Sequence, residues 1–271
     1  MKLATKHKVM ILIALALLLL LVYLAVNRSI LKGPESIAFD SMGKRFLVSN
    51  TKGKSIVSMS LDGKYSAFLK GGLKAPRGIA IKGNDLFVAD LNQIRIIDIA
   101  KATITKSIPV EGAVLLNDIA LDKVGLIYVT DTSANCVFII NSTNQAVNKI
   151  VSPLFKAPNG IIYDMPRNQM LIVGFSKQAS VLSLNTMNRN VTVFMDSIYS
   201  QLDGIAIDDL GRIYISSWEQ EMILEIPQEQ NRFIAKYKDI KNAADMFYYF
   251  PNNELIVPMH NKNKIIRIPL D

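Results

Sequence analysis

This chain has almost no sulfur or imidazole chemistry to offer. Its 271 residues include one cysteine, Cys136, and two histidines, His7 and His260. One cysteine excludes an internal disulfide, and its place in the apolar stretch CVFII points to burial in a strand rather than to a reactive thiol. Two histidines rule out a histidine-rich zinc site, and no CxxC, HExxH, GxSxG or P-loop signature occurs. Basic runs are equally scarce. The net charge is +8, but Lys2, Lys6, Lys8 and Arg28 fall in the first 28 residues with no acidic residue beside them, leaving +4 for the rest. That remainder holds no block of five basic residues and no aromatics interleaved with them. Its charge reads as solvated surface, and nucleic acid is excluded as a partner.

One long apolar run is present. Val9 to Val26 continues for 18 residues, the lower end of what crosses a bilayer as a helix. The lysines before it predict a cytoplasmic N-terminus and a remainder outside the cytoplasm. A small-x-small cleavage site is missing, since the nearest pair is Tyr23 and Ala25, and no cysteine follows for a lipoprotein anchor. The reading is therefore a transmembrane signal anchor over 1–28 and one further domain over 29–271. The alternative is a cleaved signal peptide and a secreted or periplasmic protein. Asn141 and Asn190 open sequons that matter only in a eukaryotic secretory pathway.

Beyond the run the chain repeats itself. Glu35, Arg77, Asn117, Asn159, Asp203 and Asp245 stand 42, 40, 42, 44 and 42 residues apart, each two residues ahead of a strand-like apolar stretch. Alternating strands with Gly-containing turns fill each unit, as in SIAFD, RFLVSN, SIVSMSL and YSAFLK. A period near 40 with several strands per unit predicts an all-β, six-bladed propeller of four antiparallel strands per blade. The sixth unit offers three strands, MFYYF, ELIVPM and KIIRIPL, so 29–32 is expected to supply the fourth and close the ring.

In such a ring the six repeat positions converge on one mouth of the central channel. The ends of the second strands add Asn50, Asp90, Asp131, Phe175, Ser217, Trp218 and His260 around the rim. Glu35, Asn117, Asn159 and Asp203 form a set of hard oxygen donors that suits Ca²⁺, with another divalent metal as the alternative. Taken singly, Asn159 and Asp203 before glycine are ordinary turn residues; it is their coincidence in one ring that points to a metal. Arg77 reads as a salt-bridge partner of Asp245 or Glu35, or as a holder of an anionic substrate. His260, in MHNKNK, reads as a solvated loop histidine, with a lone proton shuttle as the alternative. Trp218 and Asp131 are candidate substrate contacts.

The stretches GPES, LLNDIALD, APNGI and LDGIAID resemble the calcium-dependent propellers of the SMP-30/gluconolactonase group, over about 33–271. Paraoxonases, diisopropylfluorophosphatase and strictosidine synthase-like proteins are related to that group. The resemblance implies that Glu35, Asn117, Asn159 and Asp203 match the family's metal ligands, and that Asp203 serves as nucleophile or base. It implies a calcium-dependent hydrolase of lactones, related esters or phosphotriesters. The alternative is a non-catalytic, calcium-stabilised NHL-type module that binds a protein partner. Arg77 and the single propeller histidine depart from the family's pattern.

Overall fold

The computed structural model describes Ile13 and residues 30–271, and the propeller is the compact unit Leu31–Asp271. Of the apolar run 9–26 only Ile13 is described, so the expected anchor lies outside the described residues. Among those that are described, no helix is long and apolar enough to cross a membrane.

Six antiparallel sheets follow one another along the chain, over 34–69, 76–109, 116–150, 158–195, 202–237 and 247–269. Each is a meander in chain order. The first strands, Pro34–Asp40, Pro76–Lys82, Leu116–Leu121, Pro158–Asp164, Leu202–Ile207 and Phe247–Tyr249, touch their successors around a central channel, and the last touches the first. The near-continuous apolar runs in the second and third strands follow from this architecture, because each blade is covered on both faces by its neighbours. Phe46, Leu47, Val48, Leu86, Val88, Val129, Val137 and Leu171 are buried accordingly. Cys136 sits in such a strand, fully buried, and burial pushes its thiol up to about 11. It is inert at neutral pH.

Close approach around the channel dictates glycine. A Cβ on Gly160 would lie 2.2 Å from the backbone oxygen of Asp203, and one on Gly204 would lie 2.4 Å from that of Ala244. Neighbouring inner strands therefore pack backbone against backbone at these points.

The closure differs from expectation. The sixth sheet has three strands, and residues 30–32 do not pair with it. Among them, the backbone groups of Lys32 are committed to blade 1. Lys32 donates its N–H to the Asn50 side chain and accepts from Gly53 N, while Gly33 accepts from Thr51 N. Leu31 is instead driven into the seam between the first and last blades, packing in one cluster with Ile37, Phe46, Val48, Tyr249 and Ile256. The ring closes on this plug and on polar contacts such as Asp245 N–H to Glu35 O, 3.0 Å.

Candidate functional site

A β-bulge builds the site. In blade 1, Pro34 pairs with Asn50 and Ile37 with Val48, so three steps on the inner strand oppose two on its partner. The same shift occurs at Pro76/Ile79, Pro158/Ile161 and Leu202/Ile205, and in blade 3 between Leu116 and Ile119. The extra residue bends each strand at the repeat position and re-aims its side chain.

Five of the six repeat residues then line one cavity of about 260 Å³: Glu35, Arg77, Asn117, Asn159 and Asp203. Leu115, Thr132, Phe175, Trp218 and His260 complete it. Leu115 and Thr132 were not foreseen, although each lies within two residues of a predicted site position, Asn117 or Asp131.

Asp245 is the exception and corrects the expected ring. It lines a second cavity, of about 320 Å³, walled by Ile37, Phe39, Ile79, Ile161 and Phe247, with Asp118 beside it. The Ser36 hydroxyl donates to its carboxylate at 2.6 Å, and the backbone N–H groups of Met246 and Ile205 reach it too. Those donors from three blades hold the carboxylate within the channel rather than at the mouth. Without Asp245, the formal charge of the first cavity is −1, from Glu35, Asp203 and Arg77, not the −2 of a complete ring.

Asp131 is corrected as well. It is fully buried and accepts from the backbone N–H groups of Val114, Leu115, Ser133 and Ala134 at 2.7–3.2 Å, which makes it a loop cap rather than a cavity residue. Asp90 caps Lys74 and Ala75, and Ser217 bonds Ser200 O and Gln220. Asn50 holds Lys32 and Ser55 in the same way. Of the predicted rim residues, only Phe175, Trp218 and His260 line the cavity.

His260 is not solvated. It is 9 % exposed, its ring stands 6.1 Å from that of Trp218, and its Nδ1 lies against Glu35 Oε2. Arg77 Nη1 donates to the other oxygen, Oε1, at 2.6 Å, so Arg77 pairs with Glu35 and not with Asp245. Burial works to raise the Glu35 pKa, but His260 and Arg77 outweigh it and hold the carboxyl below its ordinary value. Asp203 shows the opposite. Burial, then the facing carboxylates of Glu35 and Asp245, push it well above the usual carboxylate range. It draws no hydrogen-bond donor from the described residues.

The donor set fits a divalent cation. Asn117 spends its amide N–H on Thr132 Oγ1 at 2.9 Å, which leaves its oxygen as an acceptor, and Asn159 and Asp203 add theirs to the same cavity. No group of three or more His, Cys, Asp or Glu side chains is arranged to hold a metal among the described residues. The set here is half amide oxygen, a composition that suits Ca²⁺ rather than Zn²⁺. In the same cavity, Trp218 donates its indole N–H to Ala243 O at 2.6 Å and meets Phe175 edge to face at 5.4 Å.

No protein-family model and no curated protein matches this chain. Solved structures do. A gluconolactonase from Xanthomonas campestris superposes with a TM-score of 0.75 at 13% identity, covering 90% of this chain and 88% of that one. A virginiamycin B lyase from Staphylococcus aureus, solved as a catalytically inactive His-to-Ala variant with quinupristin, gives 0.68 at 15%, covering 90% and 97%. A chain of the nidogen/laminin complex gives 0.66 at 14%, covering 83% and 93%. The shared feature is the fold. It is a six-bladed β-propeller.

Proposed function

We propose that the cavity around Asp203 binds a divalent cation, Ca²⁺ in the first place, and cleaves a lactone or related ester. The carrying observation is the convergence of Glu35, Asn117, Asn159 and a donor-free Asp203 on one cavity. The gluconolactonase and lyase folds support a bond-cleaving propeller. When bound, the ion supplies Lewis-acid polarisation of the substrate's carbonyl or phosphoryl oxygen.

The chain's own residues do the rest. Asp203 attacks the carbonyl carbon or takes the proton of a water that does so. Leu115, Phe175 and Trp218 seat the apolar part of the substrate and exclude bulk water. Glu35 stands against Nδ1 of the His260 ring, the arrangement by which a carboxylate orients a catalytic imidazole, and as the C–O bond breaks the proton that Asp203 took from the water passes by way of Nε2 to the departing alkoxide. The virginiamycin B lyase, inactive once a histidine is replaced, supports giving the one cavity histidine such a task. An extracytoplasmic location is part of this proposal and rests on the basic and apolar pattern of 1–28 in the sequence.

Hydrolysis of a lactone panel by the full-length protein, with the bound metal identified in the same sample, tests this. Activity is expected to disappear with chelator and return with Ca²⁺. Asp203→Asn is expected to lower kcat by about 10²–10⁴-fold. Bound calcium with no turnover of lactones, esters or phosphotriesters overturns the enzymatic reading. It would leave the second one, a calcium-stabilised module that binds a protein partner. The pairing of both Glu35 oxygens with Arg77 and His260 favours that reading, because it gives Glu35 a structural task. There Glu35→Gln lowers thermal stability and removes no rate.

A further inference from the structure

We infer that the cavity selects substrates bearing an anionic group, a carboxylate first, on a small apolar body, and that Arg77 holds that group. This rests on the metal-assisted reading above.

Charge carries the first step. Glu35 and Asp203 together offset one divalent ion, and Asn117 and Asn159 add no charge. Arg77 then leaves the loaded cavity at +1, and no other acid among the described residues lines it. Asp245, the repeat residue whose position would have balanced Arg77, faces the other cavity. A monoanionic ligand restores neutrality in a site partly closed to water, where a charge-assisted hydrogen bond is worth most.

Hydrogen-bonding capacity carries the second. A guanidinium has five N–H donors in a planar fork, shaped for a carboxylate. Glu35 takes one, through Nη1. Nε is buried and has no partner among the described residues, and the side chain keeps 23% of its surface open. Glu35 itself is shared with His260, so it does not saturate Arg77.

Position carries the third. In a closed ring of six, blade 2 stands opposite blade 5, which places Arg77 across the cavity from Asp203. Leu115, Phe175 and Trp218 line the same cavity, and Trp218 spends its indole N–H on Ala243. A ligand spanning the cavity thus meets a cation at one end, the proposed nucleophile at the other and these apolar side chains on its wall. The volume of about 260 Å³ restricts it to a small molecule.

Adipic acid monoanilide and its primary carboxamide differ in one negative charge, and neither carries an ester that the proposed activity could cleave. Their binding to the full-length protein in calcium buffer, measured by calorimetry, tests the inference. The acid is expected to bind about tenfold or more tightly than the carboxamide. Arg77→Gln should equalise the two by weakening the acid alone, and Arg77→Lys should keep part of the preference. No preference in the wild type overturns the inference. So does an Arg77→Gln protein that loses both ligands alike, since Arg77 would then act only by supporting Glu35. Turnover of mono-4-nitrophenyl adipate is read separately: its absence beside an intact acid preference sinks the hydrolase reading and leaves this one standing.

Discussion

Two buried carboxylates only a channel's width apart show how environment separates residues of one type. Glu35 has Arg77 and His260 and stays ionised. Asp245 has burial against it, offset by Ser36 and two backbone N–H groups, and its pKa rises to about 7 from 3.8. A carboxyl whose folded pKa is raised binds its proton more tightly in the folded state. Its contribution to stability is therefore present in acid and is lost as the pH climbs from about 4 to about 7. Asp245→Asn is expected to flatten that part of the stability profile, read as thermal midpoint against pH; an unchanged slope would mean that Asp245 is ionised throughout. The sequence placed Asp245 in the repeat correctly and its carboxylate wrongly, because the groups that turn it come from Ser36 and Ile205, far along the chain. His260 was placed at the rim correctly, and its burial escaped for the same reason: it depends on Glu35, on another blade.

The inner strands were legible because two signals coincide in each, an apolar run and a polar repeat residue two places ahead of it. What the pattern does not state is how tightly neighbouring strands approach. Gly160 looked like turn chemistry after Asn159, yet its φ is not the reason for it: a Cβ there would meet the backbone oxygen of Asp203 at 2.2 Å. Gly160→Ala should therefore destabilise the fold by about 1–3 kcal/mol, as overpacking does, and should displace Asp203 with it. Denaturant unfolding measures the first and calcium affinity the second; normal values of both would show that the blades can slide apart there. Asp131 offers the opposite lesson. The stretch DTSA already carried an Asx-turn signal, and two of the four N–H groups it caps, those of Ser133 and Ala134, follow it directly in sequence. Its structural role was readable and was passed over for the rim.

A closed ring is as strong as the one seam that chain continuity does not cross. Five blade contacts join consecutive units, but blade 6 meets blade 1 only through packing and a few polar bonds. The missing strand in the sixth unit was visible in the sequence, and a strand from 29–32 was the natural guess. The structure spends the backbone groups of Lys32 on Gly53 and Asn50 and sends Leu31 into the seam instead. Leu31 is 1% exposed and packs on Ile37 and Val48 from one side and Tyr249 and Ile256 from the other. Leu31→Ala is therefore expected to cost about 2–5 kcal/mol in denaturant unfolding, the usual range for emptying a buried leucine site. Its signature is local. Amide exchange should speed up first in Pro34–Asp40 and Phe247–Tyr249, with the inner strands of blades 3 and 4 protected until global unfolding. Uniform loss of protection across all six blades would mean that Leu31 fills space like any core residue, and that the polar contacts around Glu35 and Asp245 hold the ring shut.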